Sequence, residues 1–349
     1  MSPESYIHSD TGAMLADQFD RLFSERVDAK LMRAVQSGDP AATAPLAQEV
    51  EALGLTHALV PEDAGGAGLA WTEIQGVLEA LGRHVAPLAL PERMAAAWAM
   101  AKAGLEVPED APIAVWDRLT LSGETVSGKL VIPFPEQARQ ILAVAGEGEA
   151  ARLVLLEMPE GTPLSTIGQD PRRVAVIEGA QPLASAPVEA DLLLSALAVM
   201  RAGQMAGAMA HALALSIDYG NTRVQFGRPI GKFQAIQHLV AEQAGEAAAA
   251  KASVQLALRA MDRDLGWEAA AVAKIRNGMA VAKVAAVAHA VHGAIGVTEE
   301  HMLHHTTRRL WQWREEAGDE NAWSERLGRA VIARGGQALW PGVVALTDN

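Results

Sequence analysis

From Glu189 to His292 the apolar residues recur at helical spacing with two interruptions, and this constrains the chain more than any other feature. Leu193, Leu197, Met200, Met205, Met209 and Leu213 lie near one stripe. A second long helix is expected from about Phe233 to Arg263 and a third from about Glu268 to His292. Such helices, rich in alanine and joined by short loops, bury their stripes by packing antiparallel as a bundle. Gly293, Gly296, Gly318 and Pro341 mark later breaks. The small residues of Arg201–Gly207 allow a neighbouring helix to approach closely, and core packing is their expected role.

The rest of the chain divides by period. Residues 12–105 read as helices: Met14, Leu15, Phe19, Leu22 and Phe23 keep helical spacing, and a helix from about Leu46 to Leu53 ends at Gly54. The glycine-rich stretch Val60–Gly68 reads as a tight connection, followed by a helix over 72–81 with Thr72 as its N-cap. Between 110 and 188 short apolar runs appear at Ile113–Val115, Leu130–Ile132, Ile141–Val144, Leu153–Leu156 and Val174–Ile177, separated by turn residues. That is the pattern of a small antiparallel β unit. The expected architecture is mainly α with a small β domain: an N-terminal helical domain (1–108), a shortened central antiparallel β domain (109–188) and a C-terminal four-helix bundle (189–349).

Charge and composition exclude several functions. The 349 residues carry a formal net charge of −13, which argues against nucleic-acid binding. A local arginine cluster can still bind a small anion on such a chain. The absence of cysteine removes disulfides, thiolate metal sites and cysteine nucleophiles. Glu4, Asp10, Asp17 and Asp20 make the start too polar for a secretory signal. No long uninterrupted apolar run suggests a membrane span. A cytoplasmic location is the expectation.

The interruption between the first two long helices is Tyr219–His238, reading YGNTRVQFGRPIGKFQAIQH. From the residues alone it is a helix–turn–helix corner in which Arg223 serves as an ion-pair partner. It also resembles the acyl-CoA dehydrogenase signature R-x-x-F-G-x-P-I-G-x-F-Q. Val60–Gly68 resembles the V-P-E-x-x-G-G-x-G loop of that family, Glu79–Arg83 its E-E-L-G-R helix end, and His292–Thr298 its H-G-G-x-G-x-T turn. The resemblance implies an acyl-CoA dehydrogenase-like fold and an oligomer with FAD lying across a subunit interface. Arg223, Gln225, Phe233 and Gln234 then match positions that contact FAD from the neighbouring subunit. Phe226 offers an apolar face beside the ring, and Gly293 and Ala294 belong to the turn that completes the cofactor site. Arginine suits the role because its planar fork binds phosphate in a bidentate way. The implied reaction is α,β-dehydrogenation of an acyl-CoA thioester in acyl-CoA or steroid side-chain-like catabolism, with an electron-transfer flavoprotein as acceptor. A glutamate removes the α-proton while the flavin takes a hydride.

The chain departs from that pattern where the chemistry is done. Following the family spacing from Gly296, the base position falls on Ala317, before Gly318; the other known base position, counted back from Arg223, falls on Leu197. A one-residue shift makes Glu316 the candidate catalytic base, against the alternative that Glu315 and Glu316 form a solvated helix face. The T-E-P-x-x-G-S-D and W-I-T-N segments of the family's β domain are missing from 109–188. Ala290 replaces a glutamine before the glycine turn, and Asp319-Glu320-Asn321 replaces T-x-Q. Two functional expectations follow: a dehydrogenase subunit using Glu316, or a non-catalytic partner that completes the FAD site of a full-length homologue. A helical binding protein without flavin is a third. His301 and His305 have metal-compatible spacing, but no H-E-x-x-H accompanies them and no metal site is expected.

Overall fold

A computed structural model describes residues 9–298 and 300–347, so Glu4 and the first eight positions of the N-terminal span lie outside the described residues. The helices are α1 (Asp10–Arg26), α2 (Ala29–Gln36), α3 (Ala44–Ala52), α4 (Gln75–Arg83), α5 (Leu90–Lys102), α6 (Leu192–Thr222), α7 (Gln234–Asp262), α8 (Gly266–His292), α9 (Leu303–Glu315), α10 (Glu320–Arg334) and α11 (Leu339–Thr347). The strands are β1 (Ile113–Ser122), β2 (Thr125–Pro133), β3 (Gln140–Ala145), β4 (Arg152–Glu157), β5 (Thr162–Pro163), β6 (Arg172–Ala180), β7 (Ala184–Pro187), β8 (Val224–Gln225) and β9 (Arg228–Pro229). The expected order of helices, sheet and long helices is found. Two compact units are present: Glu25–Ile74 with Pro87–Leu197, and Gln75–Ala86 with the chain up to Ser24 and from Ala198 onward.

The first unit holds a seven-stranded sheet in the order β5-β6-β2-β1-β3-β4-β7. Every apolar run read from the sequence lies within a strand, and Ile113, Leu130, Ile132, Ile141, Val154 and Ala175 meet in one buried cluster. The sheet is antiparallel except that β1 and β3 pair in parallel. The exception has a simple cause. A tight turn at Gly123 (φ +60°) returns β2 along one edge of β1, and the chain then crosses to the other edge of β1 before β3 begins. Strands β5 and β7 were not visible as apolar runs because they are short and carry proline, as edge strands often do. Gln137, in the crossover, donates to Thr43 Oγ1 (3.0 Å) and Pro87 O (3.1 Å) and accepts from the Ala89 N–H (2.8 Å). Arg93 on α5 pairs with Glu51 (2.6 Å) and Asp110 (2.8 Å), so one guanidinium joins α3, α5 and the approach to β1. The glycine-rich loop closes on itself: Gly65 and Gly68 have positive φ, and a Cβ on Gly66 would stand 2.1 Å from Val60 O. Thr72 is not the N-cap of the following helix. It lies in a 3-10 turn (Trp71–Ile74) that precedes α4.

The second unit is the helical bundle. The close approach expected at Arg201–Gly207 is made by α4. A Cβ on Gly82 would stand 1.8 Å from Gln204 O, one on Gly207 2.0 Å from Glu79 O, and one on Gly203 2.9 Å from Leu78 Cβ. At Gly82 and Gly207 backbone meets backbone, so no side chain can give way. Met205, Met209, Val281, Val284, Leu310 and Trp313 form the core beside this contact. By length and composition Leu192–Thr222 and Gly266–Val297 could each cross a bilayer, which the search for uninterrupted apolar runs did not register. Their apolar windows are 89% and 50% buried inside the protein, as in core helices of a bundle.

Charge is buried in this core. Arg201 on α6 pairs with Glu316 at 2.8 Å, with side-chain exposures of 6% and 8%, and its guanidinium also meets Gln204. Gln312 Nε2 donates to Glu316 Oε1 (2.7 Å). On α8, the buried Lys274 donates from Nζ to Arg314 O (2.7 Å), and Arg314 grips Glu320. Burial, followed by the neighbouring charge of Arg201, pushes the Lys274 ammonium down to about 7, against the attraction of Glu316, Glu320 and Glu315.

Two outcomes are expected. Gly82→Ala and Gly207→Ala should each destabilise the protein by at least about 1–3 kcal/mol through overpacking. Gly245→Ala, on α7 with nothing near its added Cβ, should gain up to about 1 kcal/mol; chemical denaturation measures all three. The Lys274 ammonium is harder to keep in the folded than in the unfolded state, so its burial penalty is complete below pH 7 and vanishes as pH approaches 10.5. Between those values the wild type should gain stability relative to Lys274→Met, and melting curves at pH 7 and pH 10 that show a constant difference would contradict this.

Candidate functional site

The corner between α6 and α7 is a two-residue β-hairpin. Val224 pairs with Pro229 and Gln225 with Arg228. Phe226 (φ +52°) and Gly227 (φ +80°) occupy the turn, and positive φ at both central residues is the geometry that matches strand twist in such hairpins. Glycine adopts it freely, whereas phenylalanine does so at a cost of about 1–2 kcal/mol. Phe226 is nevertheless 91% exposed. Its ring stands edge-on to Phe233 (centroids 6.1 Å apart), and the Arg228 guanidinium lies 4.2 Å from the centre of the Phe233 ring. The Ile230 N–H donates to Arg223 O (2.9 Å), and Gln237 Nε2 to Gly231 O (2.9 Å), so the backbone of the corner is internally held. A Cβ on Gly231 would press on Gly220 O at 3.0 Å, so glycine suits the close approach of the two arms.

The structure brings Arg223, Gln225, Phe226, Phe233 and Gln234 to one end of the bundle. All but the half-buried Phe233 are exposed. No acidic residue occurs from Tyr219 to His238, while Arg223, Arg228 and Lys232 do. Among the described residues none of these three cations is answered by a carboxylate. The reading of Arg223 as an ion-pair partner is therefore set aside. A chain of net charge −13 presents here a small basic patch with an aromatic face, a combination suited to a phosphate-bearing ring compound.

Gly293 and Ala294 open the 3-10 turn Gly293–Val297 and are exposed. At φ +62° and ψ −142° Gly293 holds a conformation reserved for glycine. The turn is anchored to the corner through rings: Tyr219 stacks on His292 (4.7 Å, 26°), and His292 meets His301 edge-on (4.8 Å). His292 Nδ1 hydrogen-bonds to Ala288 O (2.8 Å). Burial lowers the neighbouring imidazoles of His289 and His301, and pushes His305 and His211 down to about 4, so they are neutral at pH 7. His301 contacts His292, while His305 packs at a tilt against His304 (centroids 3.8 Å apart, 38°). The described residues hold no group of three side chains placed to bind a metal ion.

Neither base position carries a carboxylate. Leu197 and Ala317 are both buried. Ala317 has φ +54°, and its carbonyl accepts from Trp323 Nε1 (2.8 Å). Glu315 is exposed, as the solvated-face reading requires, but Glu316 turns inward to Arg201 and Gln312. The residues present thus fit one side of a dinucleotide and supply no free carboxylate at the α9–α10 corner. The hairpin geometry and the Tyr219–His292 stack were not read from sequence, because Phe-Gly is not among the Asn-Gly or Asp-Gly pairs that signal a two-residue turn. Nothing in the sequence linked Arg201 to Glu316.

Residues 9–107 match the N-terminal domain of the acyl-CoA dehydrogenases and residues 191–332 their C-terminal domain. The acyl-CoA dehydrogenase IpdE2 of Mycobacterium tuberculosis is 32% identical over 265 residues, covering 73% of this chain and 76% of its own. The Tcur3481-Tcur3483 steroid ACAD G363A variant superimposes with a TM-score of 0.86 at 25% identity, over 93% of this chain and 98% of the other. A chain of the ChsE4-ChsE5 complex from Mycobacterium tuberculosis, at 21% identity, shares the fold with a TM-score of 0.84 over 93% and 98%. This chain belongs to the acyl-CoA dehydrogenase family, FAD-dependent oxidoreductases that act on CH–CH groups.

Proposed function

We propose that this chain is the non-catalytic subunit of a heteromeric acyl-CoA dehydrogenase, completing the FAD site of a full-length partner. The observation that carries this reading is the division within the bundle: the corner is basic, aromatic and exposed, while the base positions are closed by Leu197 and Ala317 and the nearest buried carboxylate is spent on Arg201. The similarity to proteins described as two-component complexes supports it. Arg223 holds phosphate, Gln225 and Gln234 add hydrogen bonds, Phe226 covers an apolar face, and the Gly293-Ala294 backbone closes the edge. FAD, when bound, supplies the two-electron acceptor. The partner contributes the general base, and the complex acts on an acyl-CoA, a steroid side-chain thioester being the favoured class. Electrons pass on to an electron-transfer flavoprotein, and the complex works in the cytoplasm. Glu316 serves as a structural ion-pair partner for Arg201.

Counting FAD tests the division of labour. The chain purified alone should hold essentially none, and the co-expressed complex should be yellow. Arg223→Ala should weaken FAD retention in the complex roughly 10- to 100-fold, the worth of one charged hydrogen-bond pair. One FAD per chain in the isolated protein, with acyl-CoA turnover, would overturn the proposal.

Glu316→Gln separates a structural carboxylate from a base. It should lower the melting temperature, since disrupting a buried ion pair costs about 3–5 kcal/mol. Turnover per bound FAD should stay within about twofold of wild type, whereas loss of a true general base costs about 100-fold or more.

A further inference from the structure

Apart from the corner, the unit that carries the sheet holds a half-open cavity of about 470 Å³. It lies among α2, the turn after β2 and the loop from β5 to β6, and its volume falls in the range of small-molecule sites. No residue of the corner or of the Gly293 turn lines it.

Its walls are stiff and its charges are balanced. Pro40, Pro135, Pro163 and Pro171 face it, with Val35 and Leu164 adding apolar surface. Beneath the loop Arg172 pairs with Asp170 at 2.6 Å, both side chains essentially sealed from solvent, and Thr166 Oγ1 donates to the same carboxylate (3.3 Å). Arg173 is answered by Glu136 (2.7 Å). Two non-glycine residues on the lining hold positive φ, Phe134 (+45°) and Gln169 (+55°). Strained backbone of this kind persists where the surroundings over-determine it, and it gathers at ligand clamps. The Arg172 guanidinium, 5.9 Å from the centre of the Phe134 ring, helps to hold that conformation.

This chemistry selects a ligand class. A nucleotide would need cations for its phosphates, and both arginines on the lining are engaged by carboxylates. Rigid apolar walls exclude water from a neutral ring or chain, while the exposed Ser165 and Gln169 offer hydrogen bonds at the rim. We propose that this cavity binds an uncharged, mainly apolar small molecule carrying one or two hydroxyl or carbonyl groups, at a site separate from the flavin corner.

The neutral naphthalene dye Prodan, titrated into the full chain, tests this. Saturable binding of one dye per chain with blue-shifted emission is expected. Ser165→Trp and Gln36→Trp, which add bulk to the lining from the β5–β6 loop and from α2, should weaken it tenfold or more, and Phe226→Ala should leave it unchanged. With phenylalanine selectively labelled, the Phe134 resonance should move most among the five phenylalanines, a readout that needs no variant of the cavity. Displacement of the dye by excess coenzyme A, undiminished binding in both tryptophan variants, or an unmoved Phe134 signal at dye saturation would overturn the proposal.

Discussion

The bundle depends on the ion pair between Arg201 and Glu316. Arg201 stands on the helix that packs backbone-to-backbone against α4, and Glu316 stands where α9 gives way to α10. Lys274 ties the same corner to α8 through Arg314 O. Four helices are thus joined at one level by groups that would be costly to bury singly. Each member needs the others: without Glu316, Arg201 and Lys274 would stand as neighbouring buried cations, and the lowering of Lys274 already registers that repulsion. A pair of this kind adds little net stability over well-packed apolar residues, but it tolerates few alternative arrangements. Register between the helices is what it secures.

This arrangement explains how the α9–α10 corner keeps its shape without its expected chemistry. Ala317 retains a left-handed backbone, with its carbonyl fixed by Trp323 and the following Gly318 pressed against the same indole. A side chain at 317 lies among buried residues, and Ala fills that space with a single methyl. The carboxylate one residue earlier is held by Arg201. A one-residue shift of register would have to break the buried pair, the Trp323 hydrogen bond and the Gly318 contact together. The corner keeps its conformation with alanine at 317 and with its buried carboxylate paired to Arg201.

Much of the architecture was legible because it rests on periodicity. The three long helices, the five strands with apolar runs and the small-residue stripe at Arg201–Gly207 all follow from spacing that the folded chain must respect. The place of the corner was legible as well, from its glycines and proline, but its hairpin was not, because Phe226 takes a left-handed backbone that its residue type disfavours. The parallel pairing of β1 and β3 was not legible, because it depends on where a crossover lands and leaves no mark on the strands themselves. The partner of Glu316 was hidden for a related reason: Arg201 lies far away in the chain on an otherwise apolar helix, and a charge run at 314–320 looks alike whether one member faces in or out. Thr72 illustrates a local failure, in which a 3-10 turn displaced the helix start by three residues.

The energetics of the corner run opposite to those of the core. In the bundle the buried charges of Arg201, Glu316 and Lys274 have partners, and Gly82 and Gly207 are placed by backbone contact. At the corner a phenylalanine sits in a conformation costly for its type while remaining 91% exposed, and three cations go without carboxylates among the described residues. Folding of this chain alone gains nothing from either feature. Covering Phe226 would recover about 1.5–3 kcal/mol, and matching Arg223 to a phosphate would add a charged hydrogen-bond pair. Both gains would arise only when something else occupies the surface, so on the proposed function the corner would be stabilised by assembly, as the core is by folding.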